Sequence, residues 1–546
     1  MTSTTDALAR RMSEYTGSSV QRIDTHISTI LLSGDEAWKL KRPVRLPFVD
    51  FRSVEARRRC CEAELSLNRR LAPTLYLGLL TVRGPEASPR IDGLPARSPG
   101  VAPAAAPAGR GNRDAAGAPA IEYLVRMRRF PAGALFSERV AAGTLTVDDV
   151  TRLAHGLAEF DRSAPIQRDP AIADAVAREA AKVIGQLRTL AADHGTDAQR
   201  GAIRELAAWL DVHGRRLGPV FRARLQAGRV RDVHGDLHLA NAVVLDDEVT
   251  AFDCLEFDDR LRRIDVIGDA AFLAMDLHAH GCPALAHRLV DAWCEAADDH
   301  PAMAVLPFHQ VYRACVRALV AWLAPAPSID DVERYLRTAE RLSDSDHRPT
   351  LTITHGPSGS GKSRAAARLV ELDGGLRLRS DVERKRLAGL SPLADSRAAG
   401  LDLYTREWTN RTYARLESLA DATLTAGAPV VVDAAFLRRP ERQRFAALAR
   451  WHGVPFRIVD CRADPATLRA RVIRRASLGG DPSEADTSVI DRQLVSADPL
   501  DAHELAARYE LPEREDEGGG RHGGDAIRAR AEGDTTGVDD EDEDER

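Results

Sequence analysis

The chain has little of most things that would classify a protein at once. It holds only seven cysteines, Cys60, Cys61, Cys254, Cys282, Cys294, Cys315 and Cys461. An odd count without regular spacing excludes a disulfide framework and points to reduced thiols. Cys60 and Cys61 are neighbours on an expected helix and face different ways, so they suggest neither a bridge nor a metal site. His278, His280 and Cys282 form one short cluster with no second ligand pair, which reads as a loop rather than a zinc site. No apolar run approaches the ~18 residues that a membrane span requires, and residues 1–11 contain no apolar core of a secretory signal. A cytoplasmic protein without membrane contact is therefore expected. Neither sign of charge dominates: 76 basic residues stand against 82 acidic ones, for a net charge of -6. A mainly electrostatic nucleic-acid or membrane binder is unsupported, although a local basic patch would still allow a nucleic-acid partner.

What is present is a globular composition in a chain of 546 residues, too long for a single hydrophobic core. Low-complexity segments divide it. Residues 84–119 are rich in Pro, Ala, Gly and Arg without periodicity and read as a flexible insertion. Residues 324–328 break a helical pattern, and after one more helix 343–349 lead into a new strand, which marks a domain junction. From 513 the chain turns Gly- and charge-rich and ends in an acidic run, expected to be a disordered tail. Its protein partner, if it has one, is not legible. Before the junction, strands are expected at 37–41, 122–127, 242–245 and 250–253, with helices at 54–71 and 265–275. After it, strands at 350–354, 430–432 and 456–459 alternate with helices, the signature of a parallel sheet with crossover helices.

Two motifs carry chemistry. The first, in chain order, is His234-Gly235-Asp236-Leu237-His238 with Asn241 and then Asp253. An Asp followed five residues later by Asn has the spacing of a kinase catalytic loop: Asp236 faces the acceptor hydroxyl as base, and Asn241 turns back to a metal ion. A short hairpin, 242–253, returns Asp253 to the same point as a second metal ligand.

The second motif is Gly356-Pro357-Ser358-Gly359-Ser360-Gly361-Lys362-Ser363, between an expected strand and an expected helix at 364–372. A glycine-rich turn there wraps phosphates with backbone N–H groups, and the helix N-terminus adds its positive dipole end. Lys362 would reach the β- and γ-phosphates and Ser363 would hold Mg²⁺. Asp433 ends a buried strand run, either as a second carboxylate behind Mg²⁺ or as a plain strand cap. Ser380-Asp381-Val382-Glu383-Arg384 follows what reads as a second strand, and Asp381 and Arg384 share a helix face. Arg471, Arg474 and Arg475 suit either a lid over the phosphates or a solvated helix face.

The C-terminal set resembles the small P-loop kinases that include gluconate kinase, zeta-toxin-like kinases and the kinase domain of polynucleotide kinase. The resemblance spans about 350–510. It implies ATP-dependent phosphorylation of a hydroxyl, with Asp381 as base and Arg384 binding the acceptor.

The N-terminal set resembles the aminoglycoside phosphotransferase family, which shares the protein-kinase fold. It is nearest to a bacterial branch fused to a P-loop kinase, on the segments 38–43, 64–71, 122–130 and 263–269. That resemblance implies that Lys39 binds phosphate, with Lys41 as rival on the same strand face. Glu64 would be its ion-pair partner, with Glu62 also available, and 122–127 the strand against adenine. Asp258, Asp259 and Asp265 could supply an acidic cleft, although Asp265 reads better as a brace of the catalytic loop.

The expectation is thus a two-domain protein. Residues 1–345 form an α+β protein-kinase-like domain and 346–512 an α/β P-loop NTPase with a parallel sheet, followed by a disordered tail, 513–546. The cofactors are ATP and Mg²⁺, and the partner is a small-molecule hydroxyl acceptor. Two alternatives stand: an ATP-binding regulator or switch ATPase, and a polynucleotide 5′-end kinase in the C-terminal half.

Overall fold

A computed structural model of the chain describes residues 4–46, 49–94, 118–246, 248–324, 326–344, 349–478 and 480–512. Most of the expected insertion (95–117), part of the junction (345–348) and the acidic tail (513–546) lie outside the described residues.

The first sheet is antiparallel. In space its strands run Gln21–Asp24, Ser28–Ser33, Glu36–Lys41, Ala120–Arg128, Tyr76–Arg83 and Arg90–Asp92. The last of these falls inside the segment read as a flexible insertion, so that expectation fails for 90–92, where backbone pairing with Thr81–Arg83 fixes the chain. Alternation decides what Glu36–Lys41 presents to each side. Trp38 and Leu40 pack with Leu8, Met12 and Leu31 on one face. Ala37, Lys39 and Lys41 are therefore left on the other, toward the helix Val54–Asn68. That helix starts where Ser53 Oγ accepts the Ala56 N–H at 3.1 Å, an ordinary N-cap.

Below the sheet lies a mostly helical layer around one large apolar cluster. Its centre is the helix Ile267–Ala279, in which every residue from Ile267 to Leu277 is buried; a helix apolar on all sides has no solvent face to present. Packed on it are Pro283–Ala297 and Leu306–Leu323, and Val147–Ser163 lies against Pro283–Ala297. The hairpin Ala242–Leu245 with Glu248–Ala251 ends earlier than expected. Asp253 is not in a strand but in the left-handed region, with φ 64°, because the ladder closes at Ala242 opposite Ala251.

The second sheet is parallel throughout, in the order Leu376–Arg379, Val430–Asp433, Leu351–His355 and Phe456–Asp460. Helices Lys362–Asp373, Arg406–Thr425 and Arg439–His452 make the crossovers. The C-terminal strand ends therefore open on one side, where ligands of such sheets bind. The described residues up to Tyr509 form one compact unit. Within it, the helix Pro283–Ala297 lies against both the helix Lys362–Asp373 and the outer strand Leu376–Arg379, and Leu376 and Ala428 join the large apolar cluster. The fold is thus an α+β part built on an antiparallel sheet, followed by an α/β part in which a parallel sheet carries the P-loop.

Candidate functional site

In the N-terminal part, Lys39 Nζ lies 2.9 Å from Glu64 Oε1 and 2.5 Å from Asp253 Oδ1. Glu64 is fully buried and also receives Lys41, 2.6 Å from its other oxygen. Lys41 goes on to Glu256 at 2.5 Å and is 1% exposed. The two rival lysines are thereby separated. Lys41 is enclosed between two carboxylates, whereas Lys39 reaches the half-open Asp253. Glu62 instead meets Arg58 on the surface. Burial opposes charge on both members of the Lys39–Asp253 pair. The carboxylates Asp253, Glu64 and Glu256 nonetheless hold the Lys39 ammonium well above its usual range, and Lys39 and Lys41 hold the Asp253 carboxyl below its own.

The loop that carries Asp236 is tied from several directions. The N–H groups of His234 and Gly235 donate to the two oxygens of Asp269 at 2.8 and 2.9 Å. Gly235 has φ 83°, and a Cβ there would lie 3.0 Å from the Leu261 carbonyl oxygen, so glycine is required. The Leu239 N–H donates to Asp276 at 2.9 Å, and the Cys254 N–H, next to Asp253, donates to Asn68 Oδ1 at 2.8 Å. Asn241 Nδ2 donates to the Asp236 carbonyl at 2.9 Å, which leaves Oδ1 as its ligand atom. The Asn241 carbonyl accepts the N–H of Phe252 at 3.0 Å, so Asn241 and Asp253 return to one place.

Asp265 does not brace this loop. It binds Arg224 at 2.5 and 2.8 Å in a buried cluster with Asp299, and Asp269, one helical turn on, takes the bracing role. Asp258 and Asp259 make no acidic cleft either: Asp258 pairs with Arg260, and Asp259 with Arg262 and Arg263.

In the C-terminal part, the P-loop lines a cavity of about 460 Å³ together with Arg379, Asp381, Arg384, Tyr404 and Asp433. Two of its glycines have no room for a side chain. A Cβ on Gly356 would sit 2.3 Å from the Cys461 carbonyl oxygen, and one on Gly359 would sit 2.7 Å from that of Leu468. Gly361 caps the helix Lys362–Asp373 with φ 99°. Lys362 Nζ donates to the Pro357 carbonyl at 2.7 Å. Burial pulls its ammonium below the ordinary lysine range, with Asp433 opposing. Ser363 and Ser358 line the same cavity, and the buried Ser360 Oγ has no hydrogen-bond partner. The Ser358 N–H donates to Gln493 Oε1 at 2.8 Å.

Asp381 and Arg384 form an ion pair, and the Arg384 guanidinium stacks 4.9 Å over the Tyr404 ring. Although burial opposes it, Arg384 and a hydrogen bond from Ser483 hold the Asp381 carboxyl below the usual range. Arg471 and Arg475 line the cavity; Arg474, on the same helix, does not. Arg379, Tyr404 and Gln493 were not singled out by sequence, since nothing local marks them.

The residues fit both implied groups. A turn closed to any Cβ, with a buried unpartnered hydroxyl and a helix N-terminus, suits a polyphosphate. Among the described residues no three His, Cys, Asp or Glu side chains gather as a self-sufficient metal site, and the pairs Asn241 with Asp253 and Ser363 with Asp433 suit an ion that shares its shell with phosphate and water.

The family model described as an AAA domain matches residues 351–500. Uncharacterized proteins of Mycobacterium bovis and Mycobacterium tuberculosis are 30% identical over 476 residues, which covers 84% of this chain and 86% of theirs. Among solved structures, the chain is similar to a choline/ethanolamine kinase family protein from Mesorhizobium loti, at 10% identity with TM-score 0.37, covering 63% of this chain and 96% of that one. A choline kinase from Cryptosporidium parvum matches at 9% identity with TM-score 0.35, covering 60% of this chain and 87% of that one. No helix among the described residues is long and apolar enough to cross a membrane.

Proposed function

We propose that this chain, which belongs to the same family as the mycobacterial proteins that it matches over most of both lengths, is an ATP-dependent phosphotransferase with two nucleotide-binding modules, 1–345 and 346–512, each transferring the γ-phosphate to a hydroxyl of a small molecule. One observation carries the reading. The chain presents two separate lysines, each under the charge of carboxylates: Lys39 paired with Asp253, and Lys362 with Asp433 and Asp381 acting on it.

In the N-terminal module, Lys39 is held by Glu64 in position for the phosphates, and Asp236 accepts the proton of the acceptor hydroxyl. In the C-terminal module, the P-loop N–H groups and Lys362 receive the phosphates, Asp381 is the base, and Arg384 orients the acceptor. Bound Mg²⁺, taken by Asn241 and Asp253 in one module and by Ser363 and Asp433 in the other, would neutralise charge on the transferring group. Catalysis in both is positioning and charge stabilisation, with no covalent step on the protein.

The experiment is Mg²⁺-ATP turnover by the wild type, Lys362→Ala, Asp236→Ala and the double variant, across metabolites, aminoglycosides and oligonucleotide 5′ ends. Transfer to one acceptor, lost in one single variant, assigns the chemistry to that module. ATP hydrolysis that no acceptor stimulates, lost with Lys362→Ala but intact in Asp381→Ala, would replace this reading with a switch ATPase. The 5′-end kinase is favoured by one observation, the arginines Arg438, Arg471, Arg475 and Arg492 around the C-terminal cavity, which suit a polyanionic acceptor; the oligonucleotide arm tests it.

A further inference from the structure

The helix Pro283–Ala297, which belongs to the N-terminal part, lies along the outer strand of the parallel sheet. Asp291 and Glu295 are four residues apart and share a face of that helix. Arg377 and Arg379 are two apart and share a face of the strand. Four residues of helix rise ~6 Å and two of strand ~6.6 Å, so the two ladders keep step. The Arg377 N–H donates to Asp291 Oδ1 at 2.7 Å, and the Arg379 guanidinium lies 3.5 Å from Glu295 Oε1. Further along, Asp298 takes Arg386 at 3.4 Å and Arg415 at 2.8 Å.

Of these cations only Arg379 also lines the P-loop cavity. It stands immediately before Ser380 and Asp381, and the charges that act on it are Glu295 from behind and Asp433, Asp481 and Asp381 from the cavity. A free arginine at the end of an outer strand would sample many rotamers, and fixing it costs side-chain entropy. The contact with Glu295 fixes it in advance.

We propose that Arg379 is a phosphate-contacting cation of the P-loop site and that Glu295, supplied by the N-terminal part, is the residue that positions it. The P-loop site is then completed by the other half of the chain, and its substrate at this point is a phosphoryl-bearing anion. The inference rests on the reading of 346–512 as a phosphotransferase.

The test uses the full chain carrying Asp236→Ala, so that only the P-loop module turns over, and follows kcat and KM for Mg²⁺-ATP together with the thermal midpoint. Glu295→Gln keeps the shape and removes the charge. It is expected to lower kcat about tenfold with KM for ATP within about twofold, and to cost nothing more when added to Arg379→Gln. Asp298→Asn, at the same interface but away from Arg379, is expected to leave kcat within about twofold; Asn also tolerates the left-handed backbone there, φ 48°. An unchanged kcat in Glu295→Gln, additive losses in the double variant, or an equal loss in Asp298→Asn would each overturn the inference. If Glu295→Gln does not fold, Arg379→Gln decides, and an unchanged kcat there overturns it. Turnover that is absent from the start, or that survives Lys362→Ala, is instead a failure of the phosphotransferase reading itself.

Discussion

Lys39 Nζ and Asp253 Oδ1 stand 2.5 Å apart although 214 residues separate them in the chain. The contact joins the sheet to the loop that follows the kinase-like hairpin, and it is made on the open side of Glu64. Lys41, two residues on, has the same chemistry and the same strand face, yet it ends between Glu64 and Glu256 with 1% exposure.

These two lysines should therefore fail differently. Read in a Lys362→Ala background, Lys39→Met is expected to lower N-terminal turnover by a factor on the order of 100. Lys41→Met should act first on stability, because it leaves the buried Glu256 without its cation and Glu64 with Lys39 alone, at a cost of about 3–5 kcal/mol. Turnover and thermal midpoint measured side by side separate the two. A Lys41→Met protein that is as stable as wild type but inactive would exchange the roles.

Asp269 accepts two buried backbone N–H groups of the loop that carries Asp236. Its replacement by alanine leaves both without partners, which costs roughly 2–6 kcal/mol at ~1–3 kcal/mol per stranded group. Chemical denaturation of Asp269→Ala should show that loss, and Asp269→Asn, which keeps one acceptor oxygen, should recover part of it. Asp265→Asn should disturb the Arg224 cluster without releasing the loop, visible as slower amide exchange retained at His234 and Gly235.

Gly356→Ala and Gly359→Ala should abolish ATP binding in the C-terminal module, since their Cβ atoms would stand 2.3 and 2.7 Å from carbonyl oxygens. Gly361→Ala meets no atom within 4 Å but retains the strained φ, so a smaller loss is expected. Titration with a fluorescent ATP analogue, in a Lys39→Met background, ranks the three.

Acidification should loosen the contact between the two parts. His300 is 2% exposed, and burial, with Arg386 and Arg415 beside it and Asp298 opposing, lowers its pKa to about 4. His309, buried near Asp265, Arg313 and Arg224, is lowered to about 4 likewise. Between pH ~6.5, where a free histidine titrates, and pH 4, the unfolded chain binds more protons than the folded one. Their contribution is therefore fully present above that window and lost as pH falls through it, up to about 3 kcal/mol for each histidine. The thermal midpoint should drop between pH 7 and 4.5, and His300→Gln should flatten the drop. An equal drop in that variant would remove His300 from the account.

What was legible in the sequence was what short segments determine. The strand–turn–helix around Gly356 to Lys362 declares itself, because the glycines and the flanking strand are contiguous, and the parallel sheet follows from the alternation of strands and helices. The lysine strand was legible from its alternation, but the choice between Lys39 and Lys41 was not: both share a face, and only tertiary packing sets which one is enclosed. Asp265 and Asp269 illustrate the same limit. Asp265 ends the short strand before the central helix and Asp269 lies in its first turn, and those four residues decide whether a carboxylate meets Arg224 or the loop that carries Asp236. Arg379 carried no local mark at all, since its interest comes from Glu295, which reaches it across the fold.

The parallel sheet has two rims, and each is closed in a different way. On one side, Ile458 exchanges backbone hydrogen bonds with the segment that follows the helix Ala502–Ala506, giving its N–H to Ala507 and taking that of Tyr509. On the other, the backbone N–H of Arg377 is taken by Asp291 of the helix Pro283–Ala297. An uncovered strand rim is a template on which another chain can add itself. The first rim travels with the C-terminal part wherever it goes; the second is covered only by the other part. Cutting the chain at the junction would thus lay open a strand rim that the helix Pro283–Ala297 covers in the whole chain.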